Sequence, residues 1–217
     1  MTEYISSLLS CDDGFLLGLR EFAEAHRIPI LRKDSASLLA ALTALKKPSR
    51  ILEAGTAIGY SSVLMAKACE TARIETVEID PEAVLQARGN IARAGLSGRI
   101  RVILGDATEV FASLSDSVRY DMIFLDSAKG QYLHMFGDVC RLLAPGGLLV
   151  ADNCIFYGKV FDEPEKAPHK HRTIVANMRA FLENVLSGGS FRGTLLETGD
   201  GMLVAVKNGG KPEDHDE

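Results

Sequence analysis

The sequence lacks several features that would each assign it to a different class of protein. Its four cysteines (Cys11, Cys69, Cys140 and Cys154) are scattered without a Cys-x-x-Cys pair, which argues against a disulfide framework and a zinc site. No apolar run approaches the roughly 20 residues of a membrane span, and no basic-then-apolar signal segment begins the chain. The net charge of −5 argues against a strongly electrostatic nucleic-acid binder. We therefore expect a cytoplasmic protein with no membrane partner.

What is present is a chain of 217 residues, the size of one domain with a single substantial core. Before residue 50, apolar residues recur at helical spacing, and Ile28-Pro29-Ile30-Leu31 interrupts the pattern because proline lacks an amide donor. We expect Asp34 or Ser35 to cap the helix that follows. Residues 1–49 are thus predicted to form a helical cap on a single domain spanning 1–208, and the polar segment 209–217 to be disordered.

From residue 50 onward, apolar runs typical of buried strands alternate with helical patterns. After the first strand at Arg50, we predict strands at 73–79, 100–104, 120–125, 148–151, 191–197 and 202–207, with helices at 81–94, 108–114, 132–143 and 169–186. Such alternation calls for an α/β protein with a mostly parallel sheet covered by helices on both faces. The last two strands flank Thr198-Gly199-Asp200-Gly201 and are predicted to form a hairpin, so the sheet should finish with an antiparallel strand.

The first strand runs into a carboxylate and two glycines, Glu53-Ala54-Gly55-Thr56-Ala57-Ile58-Gly59. A buried strand, a tight turn and a helix N-terminus form the usual geometry for receiving a nucleotide-like ligand. The Glu-x-Gly-x-x-x-Gly spacing differs from the Gly-x-Gly-x-x-Gly that receives a dinucleotide pyrophosphate. A ligand without a phosphate fits better, and S-adenosylmethionine is the obvious candidate. The alternative is an ordinary strand-to-helix turn.

Each of the first five strands ends in, or just before, an acidic residue: Glu53, Glu78, Asp106, Asp126 and Asp152. Ligands of open parallel sheets sit beyond the carboxyl ends of the strands, so these side chains should face one crevice. Glu78 is placed to accept hydrogen bonds from two ribose hydroxyls. Asp106 is placed to accept one from an adenine amine, or it caps the helix that follows.

A second group of oxygen ligands consists of Asp126, Asp152 and Asn153. Neighbouring strands lie ~4.8 Å apart, so residues at their ends can converge on one ion. Two carboxylates and an amide oxygen suit a hard divalent cation, with Mg²⁺ favoured. The alternative for Asp152-Asn153 is a turn after the strand. Lys129 could take a proton from a metal-bound hydroxyl, because a cation beside a metal loses its own proton more readily; the alternative is a solvated loop lysine.

Together these residues resemble the cation-dependent class I O-methyltransferases, the family of catechol and caffeoyl-CoA O-methyltransferases. The matching stretches are Leu-Glu-Ala-Gly-Thr-Ala-Ile-Gly-Tyr-Ser (52–61), Val-Glu-Ile-Asp (77–80), Phe-Leu-Asp-Ser-Ala-Lys (124–129), Leu-Ala-Pro-Gly-Gly (143–147) and Ala-Asp-Asn (151–153). The resemblance implies a Rossmann-like fold with a seven-stranded sheet, and a homodimer.

The resemblance also implies roles for individual residues. The residues that would hold S-adenosylmethionine are Glu53, Gly55, Tyr60, Ser61, Glu78, Asp106, Ala107 and Asp126. The residues that would hold Mg²⁺, or Mn²⁺, are Asp126, Asp152 and Asn153. Lys129 would act as the base, with Asp126 also counted among the catalytic residues.

Within the family, Ile-Pro-Ile (28–30), Ala-Lys-Gly-Gln-Tyr (128–132) and Thr-Gly-Asp-Gly-Met (198–202) look most like the bacterial branch that methylates 5-hydroxyuridine at the tRNA wobble position to 5-methoxyuridine. This implies tRNA as partner, and a cluster of basic residues agrees with it: Lys159, Lys166, His169, Lys170, His171, Arg172 and Arg179. The alternative substrate is a small phenol resembling catechol or caffeoyl-CoA, for which Phe156, Tyr157 and Phe161 could form an aromatic wall. A nicotinamide oxidoreductase and a non-catalytic binding module are disfavoured, the first by the glycine spacing and the second by Lys129 beside the metal ligands.

Overall fold

A computed structural model describes residues 13–209 together with Tyr4, Leu8 and Leu9. The predicted disordered tail, apart from its first residue, lies outside the described residues, as does most of the chain before residue 13. None of the helices among the described residues is long and apolar enough to cross a lipid bilayer.

Helices and strands alternate along the chain from β1 until the final pair of strands. The helices are α1 (Gly14–His26), α2 (Lys33–Lys46), α3 (Tyr60–Ala68), α4 (Pro81–Arg93), α5 (Ala107–Ser113), α6 (Tyr132–Leu142) and α7 (Arg172–Leu186). The strands are β1 (Arg50–Ala54), β2 (Arg73–Glu78), β3 (Ile100–Leu104), β4 (Tyr120–Leu125), β5 (Leu143–Ala151), β6 (Phe191–Leu196) and β7 (Met202–Lys207). Apart from the start of β5, the predicted bounds of the central strands and helices are therefore confirmed to within a few residues.

The seven strands form one sheet in the order β3-β2-β1-β4-β5-β7-β6. Strands β1 to β5 are parallel, whereas β7 is antiparallel to both β5 and β6. The predicted hairpin is confirmed, and its second strand lies inside the sheet while β6 forms the edge. The parallel strands bring their carboxyl ends to one edge of the sheet, where a ligand site is expected.

The core lies in two layers because side chains alternate across a strand. Along β1, Ile51 packs in the cluster beneath α1 to α4, and Leu52 packs in the cluster beneath α5 to α7. Both side chains are fully buried. The central strands thus have two buried faces, which explains their nearly continuous apolar sequences.

Two local predictions are wrong. No side chain caps α2, whose N-cap residue is Arg32; the Asp34 carboxylate instead accepts a hydrogen bond from the distant Gly199 amide. Strand β5 begins at Leu143 and not at the predicted residue 148, because Leu143 pairs with Tyr120 and the register then shifts so that Leu148 pairs with Met122. The intervening residues form an irregularity within the strand.

Candidate active site

A cavity of about 950 Å³ lies at the carboxyl ends of the parallel strands. That volume is at the upper end of the usual range for ligand sites, ~300–1,000 Å³, and leaves room for a cofactor and an acceptor together. The predicted site residues that line it are Gly55, Tyr60, Ser61, Glu78, Asp106, Ala107, Asp126, Lys129, Asp152 and Asn153. The segment 27–32, between α1 and α2, forms a further part of the wall.

Gly55 lets the ends of β1 and β4 meet. Its φ is +95°, and a Cβ atom there would lie 2.1 Å from the carbonyl oxygen of Asp126. The Asp126 amide donates to the Ala54 carbonyl at 2.8 Å, which fixes the same contact. A side chain at position 55 would therefore clash with backbone, and only glycine fits.

Glu53 does not line the cavity, contrary to its predicted contact with the cofactor. It is 0% exposed, and its two carboxylate oxygens accept hydrogen bonds from the hydroxyls of Ser61 and Ser62 at the start of α3. Burial raises the pKa of Glu53 to about 7, although the two serine hydroxyls partly oppose the shift. The side chain thus ties the end of β1 to the N-terminus of α3 beneath the cavity. Its contribution to the site is to hold the glycine turn in place.

Glu78, at the end of β2, faces the cavity and organises the turns around it. One carboxylate oxygen accepts from the amides of Thr56 and Ala57, at 3.1 and 2.9 Å. The other accepts from the amides of Ile79 and Asp80, each at 3.0 Å. The carboxylate therefore joins the glycine turn after β1 to the start of α4.

Asp106 confirms the capping alternative and also lines the cavity. Its Oδ1 accepts from the Thr108 amide at 2.7 Å, as expected for the N-cap of α5. Its Oδ2 accepts from the Gln131 side chain at 3.2 Å. The hydrogen bonds from Thr108 are the main reason why the pKa of Asp106 is lowered. The side chain is therefore an ionised carboxylate, which can also accept a hydrogen bond from a ligand. Ala107 lies beside it in the wall.

Tyr60 connects the glycine turn to the helical cap. The Arg20 guanidinium donates to the Tyr60 hydroxyl and lies 4.8 Å from the centre of its ring. It also donates to the Leu31 carbonyl at 3.0 Å. Arg20 therefore fixes the segment that follows α1 against the cavity. Nothing local in the sequence marks this arginine, because its partners are set by packing between distant elements.

Asp126 and Lys129 form an ion pair in the cavity, with Lys129 Nζ 3.0 Å from Asp126 Oδ1. The Lys129 side chain is only 19% exposed. Burial raises the pKa of Asp126, and the lysine charge opposes that rise. The Tyr132 hydroxyl bridges the carbonyl oxygens of Leu125 and Asp152, at 3.0 and 3.2 Å, and so fixes the ends of β4 and β5 beside each other.

Asp152 and Asn153 complete the predicted set of oxygen ligands. Asp152 is 3% exposed, and burial, followed by the charge of Asp126, raises its pKa to about 7. Asn153 has a φ of +57°, a conformation that asparagine tolerates better than most residues. Among the described residues, no cluster of three or more His, Cys, Asp and Glu side chains could hold a metal ion. The two carboxylates and the amide nevertheless fit a divalent cation that keeps several waters, because its charge would offset the repulsion between the two carboxylates.

Other residues of the site were not evident from the sequence. Asp200, in the turn between β6 and β7, lines the cavity, and so does Ser127, whose buried hydroxyl lacks a hydrogen-bond partner among the described residues. Of the three predicted aromatic residues, Phe156 and Tyr157 line the cavity, whereas Phe161 is exposed outside it. The glycines on both sides of Asp200 indicate a turn but give no sign that it reaches the site.

The strand order, the glycine turn after β1 and the acidic residue that ends β2 define a class I S-adenosylmethionine-dependent methyltransferase. A sequence profile of the O-methyltransferase family matches residues 6–208. The chain is 38% identical over 213 residues to the catechol O-methyltransferase of Niastella koreensis, and the match covers 94% of each protein. This chain therefore belongs to the O-methyltransferase family and is an S-adenosylmethionine-dependent O-methyltransferase.

Solved structures agree with this assignment. The O-methyltransferase of Bacillus cereus in complex with S-adenosylhomocysteine superposes with a TM-score of 0.83 at 26% identity, over 95% of this chain and 96% of that one. An O-methyltransferase of Streptomyces achromogenes involved in tomaymycin synthesis, in complex with S-adenosylmethionine, also gives 0.83 at 26% identity, over 96% and 100%.

Proposed function

We propose that this enzyme transfers a methyl group from S-adenosylmethionine to a hydroxyl of a small catechol-like phenol, with the help of Mg²⁺ or Mn²⁺. The observation that carries the proposal is the grouping of Asp126, Asp152, Asn153 and Lys129 in the same cavity as the Phe156 and Tyr157 rings. The name of the Niastella koreensis relative supports a catechol-like acceptor.

The order of the strands separates the cavity into two halves. Gly55, Glu78 and Asp106 follow β1, β2 and β3, on one side of β4, and we assign this half to the cofactor. Asp152 and Asn153 follow β5 on the other side, and we assign that half to the acceptor. A methyl group would then pass between the halves beside Asp126, at the end of β4.

Each half supplies groups that suit its proposed ligand. On the cofactor side, the Glu78 and Asp106 carboxylates accept hydrogen bonds from hydroxyls and amines, and charge-assisted bonds of this kind are strong. On the acceptor side, the aromatic rings offer an apolar wall for a phenol. A divalent cation bound by Asp126, Asp152 and Asn153 would make a phenolic hydroxyl easier to deprotonate. Lys129, once it has given up its own proton beside the cation, is then the residue placed to accept the proton of the phenol.

Methylation of 5-hydroxyuridine in tRNA is the second candidate, and the basic cluster supports it. Phosphate contacts from lysine and arginine provide much of the affinity of nucleic-acid-binding proteins. Several members of the cluster, however, have partners within the protein. Arg172 and Arg179 donate to backbone carbonyls of the preceding loop, and Lys166 lies 3.5 Å from Glu163. The cluster therefore stabilises the loop, which leaves fewer cations for tRNA and favours the phenol.

The two candidates are separated by offering both acceptors to the same preparation. With S-adenosylmethionine and Mg²⁺, we expect methylation of catechol at a rate that saturates with catechol. Transfer RNA containing 5-hydroxyuridine should give little 5-methoxyuridine when its nucleosides are measured by mass spectrometry. Brisk methylation of the tRNA and none of catechol would reverse this order. In that case, Lys170→Ala with Arg172→Ala should weaken the reaction and its dependence on salt.

A further inference from the structure

The turn between β6 and β7 is built more elaborately than a hairpin requires. A turn of Thr198-Gly199-Asp200-Gly201 needs only the hydrogen bond from the Gly201 amide to the Thr198 carbonyl, which is present at 3.0 Å. In addition, the turn contacts both α2 and residues 153–158, which we call the acceptor segment. Asp200 thereby becomes part of the wall of the cavity.

The acceptor segment has an unfavourable backbone conformation. Asn153, Phe156 and Tyr157 have φ angles of +57°, +49° and +56°. Asparagine adopts positive φ with some frequency, but bulky aromatic residues rarely do, and such conformations persist only where surrounding contacts impose them. The segment carries the two aromatic rings of the cavity, so the contacts that impose its conformation also place those rings.

Three backbone amides of the segment donate to Asp200 and its neighbour Gly201. The Ile155 amide donates to the Asp200 carbonyl, and the Cys154 amide donates to the Gly201 carbonyl, each at 2.8 Å. The Tyr157 amide donates to Asp200 Oδ1 at 2.7 Å. This last hydrogen bond is the only one of the three that depends on a side chain, and it acts at a residue with positive φ.

The turn itself is held from the opposite side by α2. The Gly199 amide donates to Asp34 Oδ2 at 3.0 Å, and a Cβ atom at Gly199 would lie 2.2 Å from Ser35 Oγ. A Cβ atom at Gly201 would lie 2.3 Å from Ile155 Cγ1. Glycine is therefore required on both sides of Asp200, where the turn fits between α2 and the acceptor segment.

We propose that Asp200 is a positioning residue that sets the affinity for the methyl acceptor by holding the acceptor segment in its left-handed conformation. The proposal rests on the assignment of this half of the cavity to a small phenol. Asp200 acts through the Tyr157 amide. It lies between β6 and β7, on the opposite side of β4 from the strands that carry Glu78 and Asp106. Its loss should therefore weaken acceptor binding and leave cofactor binding nearly unchanged.

The test compares Asp200→Ala with Asp200→Asn, using catechol as acceptor. Asparagine keeps an oxygen that can accept from the Tyr157 amide, whereas alanine removes it. We expect Asp200→Ala to raise KM for catechol about tenfold, which corresponds to about 1.4 kcal/mol, and to change the Kd for S-adenosylmethionine less than twofold. Asp200→Asn should keep KM within about threefold of the wild type. Asp121→Ala is the matched control, because Asp121, at the start of β4 and remote from the cavity, accepts from the backbone amides of Ser49 and Arg50.

Hydrogen exchange provides a readout that does not need turnover. Amides of residues 154–158 should exchange at least tenfold faster in Asp200→Ala than in the wild type or Asp200→Asn. If Asp200→Ala does not fold, Asp200→Ser serves instead, since it also removes the carboxylate oxygen that accepts from the Tyr157 amide. An unchanged KM and unchanged exchange in the variant would overturn the proposal, as would equal impairment by alanine and asparagine. If the wild type does not methylate catechol, the proposed substrate is wrong, and the exchange result alone decides the role of Asp200.

Discussion

Lys129 Nζ lies 3.0 Å from Asp126 Oδ1, where β4 ends between the two halves of the cavity. The lysine is thus fixed beside the proposed acceptor rather than free in solvent, and its Nζ lies 5.8 Å from the centre of the Tyr132 ring. A proton acceptor held in this place should contribute to the rate of transfer more than to binding.

We predict that Lys129→Met lowers kcat by about 100-fold, the lower end of the usual contribution of a general base. The Kd for S-adenosylmethionine, measured by calorimetry, should stay within about twofold of the wild-type value. Lys159→Met is the control, since Lys159 lies over the Phe156 and Tyr157 rings and not beside Asp126. A variant at position 129 with wild-type kcat would refute the role of base.

A divalent cation should stabilise the protein as well as support its activity. At a cation concentration of about 100 times Kd, binding adds roughly 2.7 kcal/mol to the free energy of unfolding. For a domain of this size, that gain raises Tm by roughly 5–10 °C. We expect this rise with Mg²⁺ in the wild type and not in Asp152→Asn, and we expect chelation to abolish turnover. Sodium chloride at matched ionic strength is the control. Full turnover after exhaustive chelation, or an equal rise in the variant, would exclude the proposed ligands.

Glu78→Gln should weaken S-adenosylmethionine binding by about 10- to 100-fold, because charge-assisted hydrogen bonds contribute roughly 1.5–3 kcal/mol. The measurement is calorimetric titration of folded protein, with thermal unfolding checked without cofactor, since Glu78 also accepts four backbone amides. Glu82→Gln, in the same wall, is the matched control. Wild-type affinity in the Glu78 variant would disprove contact between this carboxylate and the cofactor.

Glu53 should make the enzyme less stable as the pH rises. Burial raises its pKa from 4.5 to about 7, so between these values the folded state binds the proton more tightly than the unfolded state. The stabilisation is complete below pH 4.5 and is lost as the pH rises through 7, a change of up to about 3 kcal/mol. Replacement by glutamine removes this titration. Relative to wild type, Glu53→Gln should therefore gain stability between pH 5 and pH 8, as measured by chemical unfolding.

Glu75→Gln is the matched control for this pH dependence. The hydrogen bond from Tyr120 and the neighbouring arginines hold the pKa of Glu75 below its usual value, despite the opposing effect of burial. Glu75 is therefore ionised in the folded state throughout pH 5–8, so the difference between this variant and the wild type should change little over that range. The prediction for Glu53 fails if both variants respond to pH in the same way.

The sequence by itself determined the order of the elements and the residues at the carboxyl ends of the strands. Apolar runs and helical spacing are local patterns, so the bounds of β3, β4 and β7 could be predicted to the residue. In a parallel sheet, the carboxyl ends of β2, β4 and β5 also determine which edge carries Glu78, Asp126 and Asp152. The cofactor and the family followed from these acidic residues and the glycine turn.

Only the tertiary structure decided which side chains face the ligand and which support the site. Glu53 lies beneath the cavity because the serines of α3 surround its carboxylate, and sequence spacing cannot distinguish that position from the wall. Asp34 binds the Gly199 amide, 165 residues away, instead of capping its own helix. Asp200 likewise reaches the site through long-range packing, because its turn fits between α2 and the acceptor segment. Contacts between residues so far apart in sequence are fixed by the packing of whole elements, and no local pattern records them.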